Sequence, residues 1–383
     1  MTRFSALDPT PYLPDPDLAA RLLTPALAVH LDRVRSNVRR ILELLGGDAN
    51  RWRPHVKTTK LPPVWRLLAA EGIRHFKCAT TRELDVLLAT LSAAGVEDAD
   101  VLVAYPHRQP ALGRLAEIAE RHPEARVSVL VEDATLCDDV PEPLSLFVDV
   151  NSGMDRTGIP AEDLEEIRRV QRAAGPRYRG LHWYDGHLHE ADVDARAAAI
   201  ERGLERVADT ILALDAATPE LITAGTPAFL GSRDSKALAR CPDTVHRVSP
   251  GTVVFHDLRS ELENEALGLT PAAVVLTRVI SHPAPDLATC DAGSKSIAAE
   301  AGTPICAVIG HPELTARAPS EEHLPFRVDP ARRPARGTLL ALVPMHVCPT
   351  VNLAEETLLF DRGQFVSAAA IEARAHELLV GPR

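Results

Sequence analysis

The sequence predicts an α/β fold in which a (β/α)8 TIM-type barrel precedes a mostly antiparallel β domain. Short apolar runs alternate with amphipathic helical stretches through roughly the first 250 residues, as they do in a barrel. After about residue 258 the apolar runs follow one another with few helices between them, which is typical of antiparallel sheets. We therefore assign residues 1–258 to the barrel and residues 259–383 to the β domain.

The barrel assignment depends on eight apolar segments with helix-like stretches between them. In the first helix Asp32 is a suitable N-cap, and Val34, Val38 and Ile41 recur with helical period. Eight strands with intervening helices favour a closed barrel over an open sheet. A further strand, Ala26–Leu31, precedes the set and is able to pair into the second domain. The candidate strands lie near residues 51–57, 74–78, 101–105, 126–131, 144–149, 179–184, 220–224 and 245–248, and the helix-like segments include 81–94, 161–174 and 193–215.

The second domain shows strand-like segments joined by turn-rich stretches. Two of these stretches, Ala318–Glu322 and Asp329–Gly337, suit the connections of an antiparallel sheet. A final helix is expected over Val366–Leu379. The expected strands are Ala272–Ile280, Leu287–Asp291, Ile305–Ile309, Leu339–Val343 and Thr357–Phe360.

Composition excludes several classes of partner. The chain has 42 Lys and Arg against 53 Asp and Glu, a formal charge of −11, which disfavours nucleic acid and anionic membranes. No apolar run is long enough to span a bilayer, and the N-terminus lacks the core of a signal peptide. The 6 cysteines are scattered without the spacing of a disulfide framework, so we expect a reduced, cytoplasmic protein. With nucleic acid and anionic membranes disfavoured, the expected partner is a small-molecule substrate.

Lys57 is the most informative residue of the barrel. It ends the first candidate strand, and active sites of barrels lie at the C-terminal ends of their strands. A lysine there can form an imine with an aldehyde cofactor if burial and neighbouring charge keep its amine neutral. Buried lysines beside Arg and His are also common ion-pair partners, and Lys60 and Lys295 compete for the same role.

Chemically unusual residues follow several of the other candidate strands, and this convergence supports a functional Lys57. They are Cys78-Ala79-Thr80, Tyr105-Pro106-His107, the segment Asn151 to Arg156, Tyr184-Asp185-Gly186-His187, Thr223 to Pro227, and Pro250-Gly251-Thr252.

Two late turns are candidates for binding a phosphate group. Gly225-Thr226-Pro227 and Pro250-Gly251-Thr252 supply backbone N–H groups and hydroxyls after the last two candidate strands, where barrels often bind anions. Each is also an ordinary turn, but together with an imine lysine they suit the phosphate of pyridoxal 5'-phosphate (PLP). Arg156 could face the pyridine nitrogen of that cofactor, or form an ion pair with Asp149 or Asp155.

His346 and Cys348 are candidate metal ligands in the second domain. Two residues apart on an extended segment, they would project to the same side and suit a soft divalent metal. The alternative is a buried Cys beside a surface His. Two protein ligands would leave room for water or substrate, and the metal could act as a Lewis acid at a hydroxyl group.

Taken together, these motifs resemble those of the fold-type III PLP enzymes, in the group of D-threonine aldolases and eukaryotic-type D-serine dehydratases. The resemblance covers nearly the whole chain and rests on several motifs in the same order. They are Arg53-Pro54-His55-Val56-Lys57-Thr58, Lys77-Cys78-Ala79-Thr80, Val103-Ala104-Tyr105-Pro106, the Arg156 segment, Pro250-Gly251-Thr252, Asp291-Ala292-Gly293-Ser294-Lys295, and Pro344 through Asn352.

The resemblance implies an alanine-racemase-like barrel that binds PLP covalently at Lys57, with D-configured substrates. It also implies a homodimer and a metal near the substrate hydroxyl, zinc first, with manganese or magnesium as alternatives. The expected catalytic residues are Lys57, Tyr184 and His187. The expected cofactor-binding residues are Lys57, His55, Arg156, Tyr184, Gly225, Thr226, Gly251 and Thr252, and the expected metal ligands are His346 and Cys348.

Within that group some motifs resemble those of the dehydratases and others resemble those of the aldolases. The His-x-Cys pair is similar to the zinc site of the D-serine dehydratases, whereas the aldolases typically carry His-x-Asp. Tyr184, however, stands where aldolases tend to carry tyrosine, and His182 replaces a residue that is usually tyrosine in the dehydratases.

The resulting first expectation is elimination of water from a D-3-hydroxy amino acid to give a 2-oxo acid and ammonia. The second is retro-aldol cleavage to glycine and an aldehyde, with His187 or His189 as base. A racemase and a non-catalytic PLP carrier are weaker alternatives.

Overall fold

The structure is a computed structural model that describes residues 3–190 and 192–380. Its strands are β1 (Ala26–His30), β2 (His75–Cys78), β3 (Asp100–Val103), β4 (Arg126–Val131), β5 (Leu144–Asn151), β6 (Ile159–Pro160), β7 (Tyr178–Trp183), β8 (Glu220–Thr223), β9 (Val245–Val248), β10 (Ala273–Ser281), β11 (Leu287–Cys290), β12 (Cys306–Val308), β13 (Thr315–Ala316), β14 (Leu324–Arg327), β15 (Leu339–Pro344), β16 (Glu356–Asp361) and β17 (Gln364–Ala370).

Its helices are α1 (Pro16–Arg21), α2 (Leu31–Leu44), α3 (Pro62–Ala70), α4 (Thr81–Ala93), α5 (Ala111–Arg121), α6 (Ala134–Asp139), α7 (Leu164–Ala174), α8 (Val193–Ala213), α9 (Phe229–Arg233), α10 (Leu258–Glu263) and α11 (Val347–Leu353). None of the helices in the described residues has the length and apolar character that a transmembrane span requires.

The chain divides into two compact units. The first unit comprises Met1–Ile41, Thr58–Val64 and Thr252–Arg374, and the second comprises Leu42–Lys57, Trp65–Gly251 and Ala375–Arg383.

The second unit is built on a parallel sheet of the order β2-β3-β4-β5-β7-β8-β9, with the two-residue strand β6 attached to β5. Helices follow most of these strands, as right-handed β-α-β crossovers require. The interior side chains Leu102, Leu130, Phe147 and Ile222 come from four different strands and form one fully buried cluster. The carboxyl ends of the parallel strands therefore converge on one face, where a barrel carries its site.

The segment expected to be the first barrel strand, 51–57, is not a regular strand, which corrects that prediction. Trp52 makes an isolated parallel bridge with Val248 in β9, and His55 makes one with Lys77 in β2. Pro54 lies between them and has no N–H to donate, so a continuous ladder cannot form there. The segment nevertheless links the two edge strands of the sheet and so completes the ring of strands just before Lys57.

Arg53 anchors this segment inside the second unit. Its guanidinium is fully buried and forms a bidentate pair with Glu220, at 2.9 and 3.0 Å. It also donates to Asp100 Oδ1 at 2.9 Å and to the carbonyl of Phe76 at 3.2 Å. Burial opposes the charge, but the two carboxylates outweigh it and raise the pKa of Arg53.

The first unit contains a mostly antiparallel sheet of the order β13-β14-β11-β10-β1-β16-β17, with β15 joining β10 to β12. β1 pairs antiparallel with β10 and parallel with β16. Its core packs Phe4, Tyr12, Val274, Leu276 and Phe360 together with other buried apolar residues. The early strand Ala26–His30 is thus a central strand of this sheet.

The sequence-based elements of the C-terminal region need two corrections. The final helix expected over Val366–Leu379 is wrong, because Gln364–Ala370 forms β17 and pairs antiparallel with β16. The run of alanines in this segment favours a helix, but pairing along the β16 edge overrides that preference. The short strands β13 and β14 were not anticipated, since they flank the turn-rich stretch 318–322 and have only two and four residues.

Candidate active site

Lys57 lines a cavity of about 350 Å³ in the second unit. The wall includes His55 from the segment before Lys57, Lys77 at β2, His182 and Tyr184 at β7, and Arg156 from the segment after β5; its other residues are Ala79, Ala104, Tyr105 and Thr157. Apart from His55 and Lys57, which belong to the segment that bridges β9 and β2, these residues lie within or after strands of the parallel sheet. Three cationic side chains face the cavity, and among the described residues that line it there is no carboxylate. The cavity therefore suits an anionic occupant.

A buried chain of three polar residues backs the cavity. Asp149 and His182 are register partners on the neighbouring strands β5 and β7, and His182 Nδ1 donates to Asp149 Oδ1 at 2.7 Å. Lys77 Nζ lies 3.4 Å from His182 Nε2. With Nδ1 protonated towards Asp149, Nε2 is left to accept from the Lys77 ammonium group.

These contacts set the charges of the chain. Burial and then the charges of Lys57 and Arg156 lower the pKa of Lys77 to about 7. Burial also lowers the pKa of His182, with the Lys77 charge adding to the effect. Burial alone would raise the pKa of Asp149, but the adjacent His182 lowers it overall. A neutral His182 between a carboxylate and a lysine that titrates near neutral pH is therefore the favoured state.

No role was predicted for Lys77 from the sequence. Its motif was noted, but no sequence signal marked its side chain as buried beside Lys57. The alternation of β2 would have put Lys77 and His75 on one face and Phe76 and Cys78 on the other, without indicating which face is interior.

Arg156 and Tyr184 form one side of the cavity. The Arg156 guanidinium carbon lies 4.7 Å from the centroid of the Tyr184 ring, and the Lys77 ammonium nitrogen lies 5.4 Å from it. Asp155, one of the expected ion-pair partners of Arg156, instead accepts a hydrogen bond from Asn151 Nδ2 at 2.9 Å. Arg156 thus presents its charge to the cavity beside an aromatic face.

The glycines of the expected phosphate turns permit close approach to the cavity wall. A Cβ at Gly225 would lie 3.2 Å from the Tyr184 ring, and one at Gly251 would lie 2.3 Å from the carbonyl oxygen of His55. The backbone N–H of Gly225 donates to the buried Asp185 at 3.3 Å, and burial raises the pKa of that carboxyl to about 6. Glycine is therefore required at position 251 if His55 is to keep its place.

His187 is placed differently from Tyr184. Its Nε2 would lie 3.4 Å from a Cβ at Gly153, and in the described part of the chain it is not among the residues that line the cavity. Burial lowers its pKa. The catalytic role expected for His187 stays a prediction.

The candidate metal ligands His346 and Cys348 lie at the start of a helix in the first unit. His346 is the N-cap of α11, and Cys348 is its second residue, so the expectation of an extended segment is wrong. The helix begins there because the N–H of Val347 donates to Asp257 and the Thr350 hydroxyl donates to the carbonyl of His346. The two side chains still meet. Burial opposes a charged imidazole, but the hydrogen bond with Cys348 and nearby acidic groups raise the pKa of His346 to about 9.

Other polar side chains surround the pair. His346 Nδ1 donates to Glu300 Oε1 at 2.6 Å, while Cys348 Sγ lies 3.1 Å from Thr58 Oγ1 and 3.5 Å from Thr252 Oγ1. Thr58 is the residue that follows Lys57 in the chain. Within residues 3–190 and 192–380 no group of three or more His, Cys, Asp or Glu side chains is arranged around a metal position.

The two competing lysines make ordinary structural contacts. Lys60 Nζ donates to the carbonyl of Ala373 at 3.3 Å. Lys295 is more than half exposed and forms ion pairs with Glu321 and Glu322. Both contacts are typical of lysines that stabilise a fold.

Comparison with known proteins agrees with this architecture. The family model of the alanine racemase N-terminal domain matches residues 29–258, well over half of the chain. The chain belongs to this family. A second model, the putative serine dehydratase domain, matches residues 272–360.

Curated relatives span nearly the full length of the chain. A D-threonine aldolase of Arthrobacter sp is 29% identical over 384 residues, which cover 96% of each protein. A D-threo-3-hydroxyaspartate dehydratase of Delftia sp. (strain HT23) is 27% identical over 369 residues, with 87% of this chain and 93% of the relative covered. Both relatives are lyases, so the predicted enzyme class is confirmed.

Solved structures confirm the predicted fold class. A D-threonine aldolase from Filomicrobium marinum superposes with a TM-score of 0.82 at 26% identity, covering 93% of this chain and 96% of the other. A variant of the Delftia dehydratase, described as a metal-free form, superposes with a TM-score of 0.76 at 22% identity, covering 94% and 99%.

Proposed function

We propose that this protein is a PLP- and divalent-metal-dependent lyase of D-3-hydroxy-α-amino acids that eliminates water to give a 2-oxo acid and ammonia. The observation that carries the proposal is the placement of Lys57 in a cation-lined cavity at the carboxyl ends of the parallel strands. A named dehydratase of a D-3-hydroxy amino acid among the relatives supports the reaction class.

The residues present fit the proposed cofactor. The cavity volume of about 350 Å³ has room for a small aromatic aldehyde, and Lys57 supplies the amine that would hold it. Arg156 supplies positive charge for its anionic groups, and the close approaches at Gly225 and Gly251 leave space that a Cβ would fill. Bound PLP would supply an electron sink for charge that develops at the substrate Cα.

The candidate metal ligands His346 and Cys348 also fit a soft divalent ion. An imidazole and a thiol are donors that zinc prefers, and with Nδ1 of His346 engaged by the Glu300 carboxylate, Nε2 is the nitrogen that would bind the ion. We propose that His346 and Cys348 hold zinc, with manganese or magnesium as alternatives. The ion would supply a Lewis acid for the 3-hydroxyl group of the substrate.

The side chains of the protein have distinct tasks in this proposal. With PLP bound, Lys57 Nζ would be the base that removes the proton from the substrate Cα. Arg156 keeps a permanent positive charge at the cavity wall, where it orients anionic groups. Tyr184 contributes the aromatic wall against which Arg156 lies.

Retro-aldol cleavage to glycine and an aldehyde is the second candidate. It is favoured by Tyr184, which lines the cavity and stands where the aldolases tend to carry tyrosine, and by the Arthrobacter aldolase among the relatives. In that reaction a base such as His187 or His189 would take the hydroxyl proton.

Incubation with D-threonine separates the two reactions. The purified protein is supplied with PLP and zinc, and its products are identified by chromatography. We expect 2-oxobutanoate and ammonia. Acetaldehyde and glycine as the only products would overturn the dehydratase proposal in favour of the aldolase. The Lys57→Ala variant should form neither set of products, and Lys236→Met, at an exposed position, is the matched control.

The covalent attachment is testable separately, because the chain has only five lysines, at positions 57, 60, 77, 236 and 295. Borohydride reduction followed by peptide mapping should place the pyridoxyl label on Lys57. A label on any other lysine, or none, would overturn the cofactor proposal. Cys348→Ala should keep the label on Lys57 but lose the bound metal, measured by elemental analysis.

We further propose that the protein is a cytoplasmic homodimer. The homodimer is supported by the resemblance to the D-threonine aldolase and D-serine dehydratase group. The cytoplasm is supported by the six cysteines, which form no disulfide. Light scattering coupled to size exclusion would test the homodimer, and a monomer at micromolar concentration would contradict it.

A further inference from the structure

The proposed function gives an acid–base role to Lys57, but a second lysine lies in the same cavity. Lys77 is only 2% exposed, although lysine is almost never buried without a charged or hydrogen-bonded partner. Two of the five lysines of the chain therefore share one wall. Burying a second amine there costs desolvation free energy, which indicates that this amine has a task of its own.

The Lys77 amine is held by a directed contact rather than by packing alone. Its Nζ lies 3.4 Å from His182 Nε2, and His182 Nδ1 donates to Asp149 at 2.7 Å. The Asp149 carboxylate fixes the tautomer of His182, so that Nε2 offers a lone pair to Lys77. The contact stabilises the ammonium form when Lys77 takes up a proton, and it leaves the amine in place when the proton departs.

The charged groups around Lys77 come from several elements, and positive charge predominates among them. The positive charges of Lys57, Arg156 and Arg53 lower the pKa of Lys77, and the negative charge of Asp149 raises it. Burial raises the pKa of Asp185, and the charge of Lys77 opposes that rise. Burial and the charge of Lys57 both lower the pKa of Lys77, to about 7. A proton gained by Lys57 therefore weakens the hold of Lys77 on its own proton, which couples the two amines.

The reaction creates a need for such a partner. Lys57 takes the Cα proton and becomes an ammonium group, but an imine forms only from a neutral amine, so that proton must leave before the next turnover. Arg156 cannot accept that proton, because a guanidinium is always protonated. Within the described lining of the cavity, Lys77 is the amine able to do so.

We propose that Lys77 is the proton-exchange partner of Lys57, positioned for that task by His182 and Asp149. This inference rests on the proposed function. In each turnover the Cα–H bond breaks and an N–H bond forms at Lys57. That N–H bond then breaks and one forms at Lys77. The bond between the substrate Cβ and its hydroxyl oxygen breaks, and Lys77 returns the proton to the hydroxide so released. The proton leaves in the product water, and both amines are restored.

Substitutions at position 77 separate proton exchange from a need for positive charge. Lys77→Met removes the amine, whereas Lys77→Arg keeps a charge that cannot be given up near neutral pH. Loss of a general acid–base group typically costs on the order of 10²–10⁴ in rate. We expect both variants to lose at least about 100-fold in kcat. In the parent protein kcat should rise with pH through a limb near pH 7, and both variants should lack that limb. Full activity of Lys77→Arg would show that charge alone is needed and would overturn the inference.

Hydrogen exchange at Cα distinguishes this inference from the proposed function itself. In deuterated water, Lys77→Met should still exchange the substrate Cα hydrogen through Lys57, measured by NMR, while product formation falls. Borohydride should still label Lys57 in this variant. If the parent protein shows no Lys57 label, the proposed function fails. If the label and the exchange are present but Lys77→Met turns over at the parent rate, only the role of Lys77 fails. His182→Asn, which removes the acceptor of Lys77, should move the limb, and an unmoved limb would exclude the positioning role of His182.

Discussion

Removing Arg53 should destabilise the second unit more than any single surface ion pair could. Arg53→Met replaces a fully buried guanidinium with an uncharged side chain of similar length. Two carboxylates then lose their main partner, Glu220 with a side chain 2% exposed and Asp100 with one 6% exposed. Breaking a buried pair in this way typically costs about 3–5 kcal/mol, because a charge is left uncompensated.

The remaining arginines place the expected cost at the lower end of that range. Arg247 stays 2.5 Å from Glu220, and Arg126 and Arg179 each stay 3.4 Å from Asp100. We therefore expect Arg53→Met to lower the free energy of unfolding by about 3 kcal/mol. For a unit of this size the melting temperature should fall by roughly 6–12 °C.

Tryptophan fluorescence in a urea titration is the appropriate measurement. All three tryptophans, Trp52, Trp65 and Trp183, are buried and belong to the second unit, so the signal reports the unit that contains Arg53. Arg126→Met is the matched control, since Arg126 also pairs with Asp100 but is half exposed, and it should cost less than about 1 kcal/mol. Equal costs for the two variants would refute the reasoning from burial.

Three further outcomes are expected. Burial lowers the pKa of His30 to about 4. Between about pH 4 and 6.5 the unfolded chain therefore binds more protons than the folded protein. The stability contributed by neutral His30 is present above that window and is lost as pH falls through it. His30→Phe should therefore flatten the acid side of the stability profile by up to about 1.4 kcal/mol per pH unit in chemical denaturation, and an unchanged slope would contradict this. Gly186→Ala would put a Cβ 2.4 Å from the Tyr184 ring, so kcat/KM should fall by at least about tenfold. Gly225→Ala, with a contact of 3.2 Å, should lower kcat/KM less. A larger loss in Gly225→Ala than in Gly186→Ala would be inconsistent with this geometry. Glu300→Gln should weaken zinc binding by about tenfold in calorimetry because it loses the carboxylate at His346 Nδ1, with Glu322→Gln as the control that should not differ from the parent.

Periodicity was sufficient for most of the elements but not for those whose state depends on a distant partner. The alternation of apolar runs and helices located seven of the eight expected barrel strands to within a few residues. The segment 51–57 was a poor strand because Pro54 interrupts its ladder, yet its bridges to Lys77 and Val248 are long-range contacts that no local pattern displays. The same reasoning explains β17, where pairing with β16 determines the conformation.

The candidate site shows a similar division between local and distant information. Position at the end of a strand was enough to bring Lys57, Arg156 and Tyr184 to one cavity. It was not enough for Lys77, whose proposed role rests on its burial and on its contact with His182 on another strand. The roles of His187, Thr226 and Thr252 stay predictions, because strand order alone does not determine where a loop directs its side chains.

The unequal accessibility of the thiols has a practical consequence. Cys78, Cys137, Cys241, Cys290 and Cys306 are all buried, whereas Cys348 is partly open to solvent. Alkylating reagents and oxidants act on thiols that they can reach, so native protein should consume a single equivalent, at Cys348. Because that sulfur is also the proposed ligand, the protein is best purified under a reductant that does not chelate, and bound zinc should protect it from inactivation.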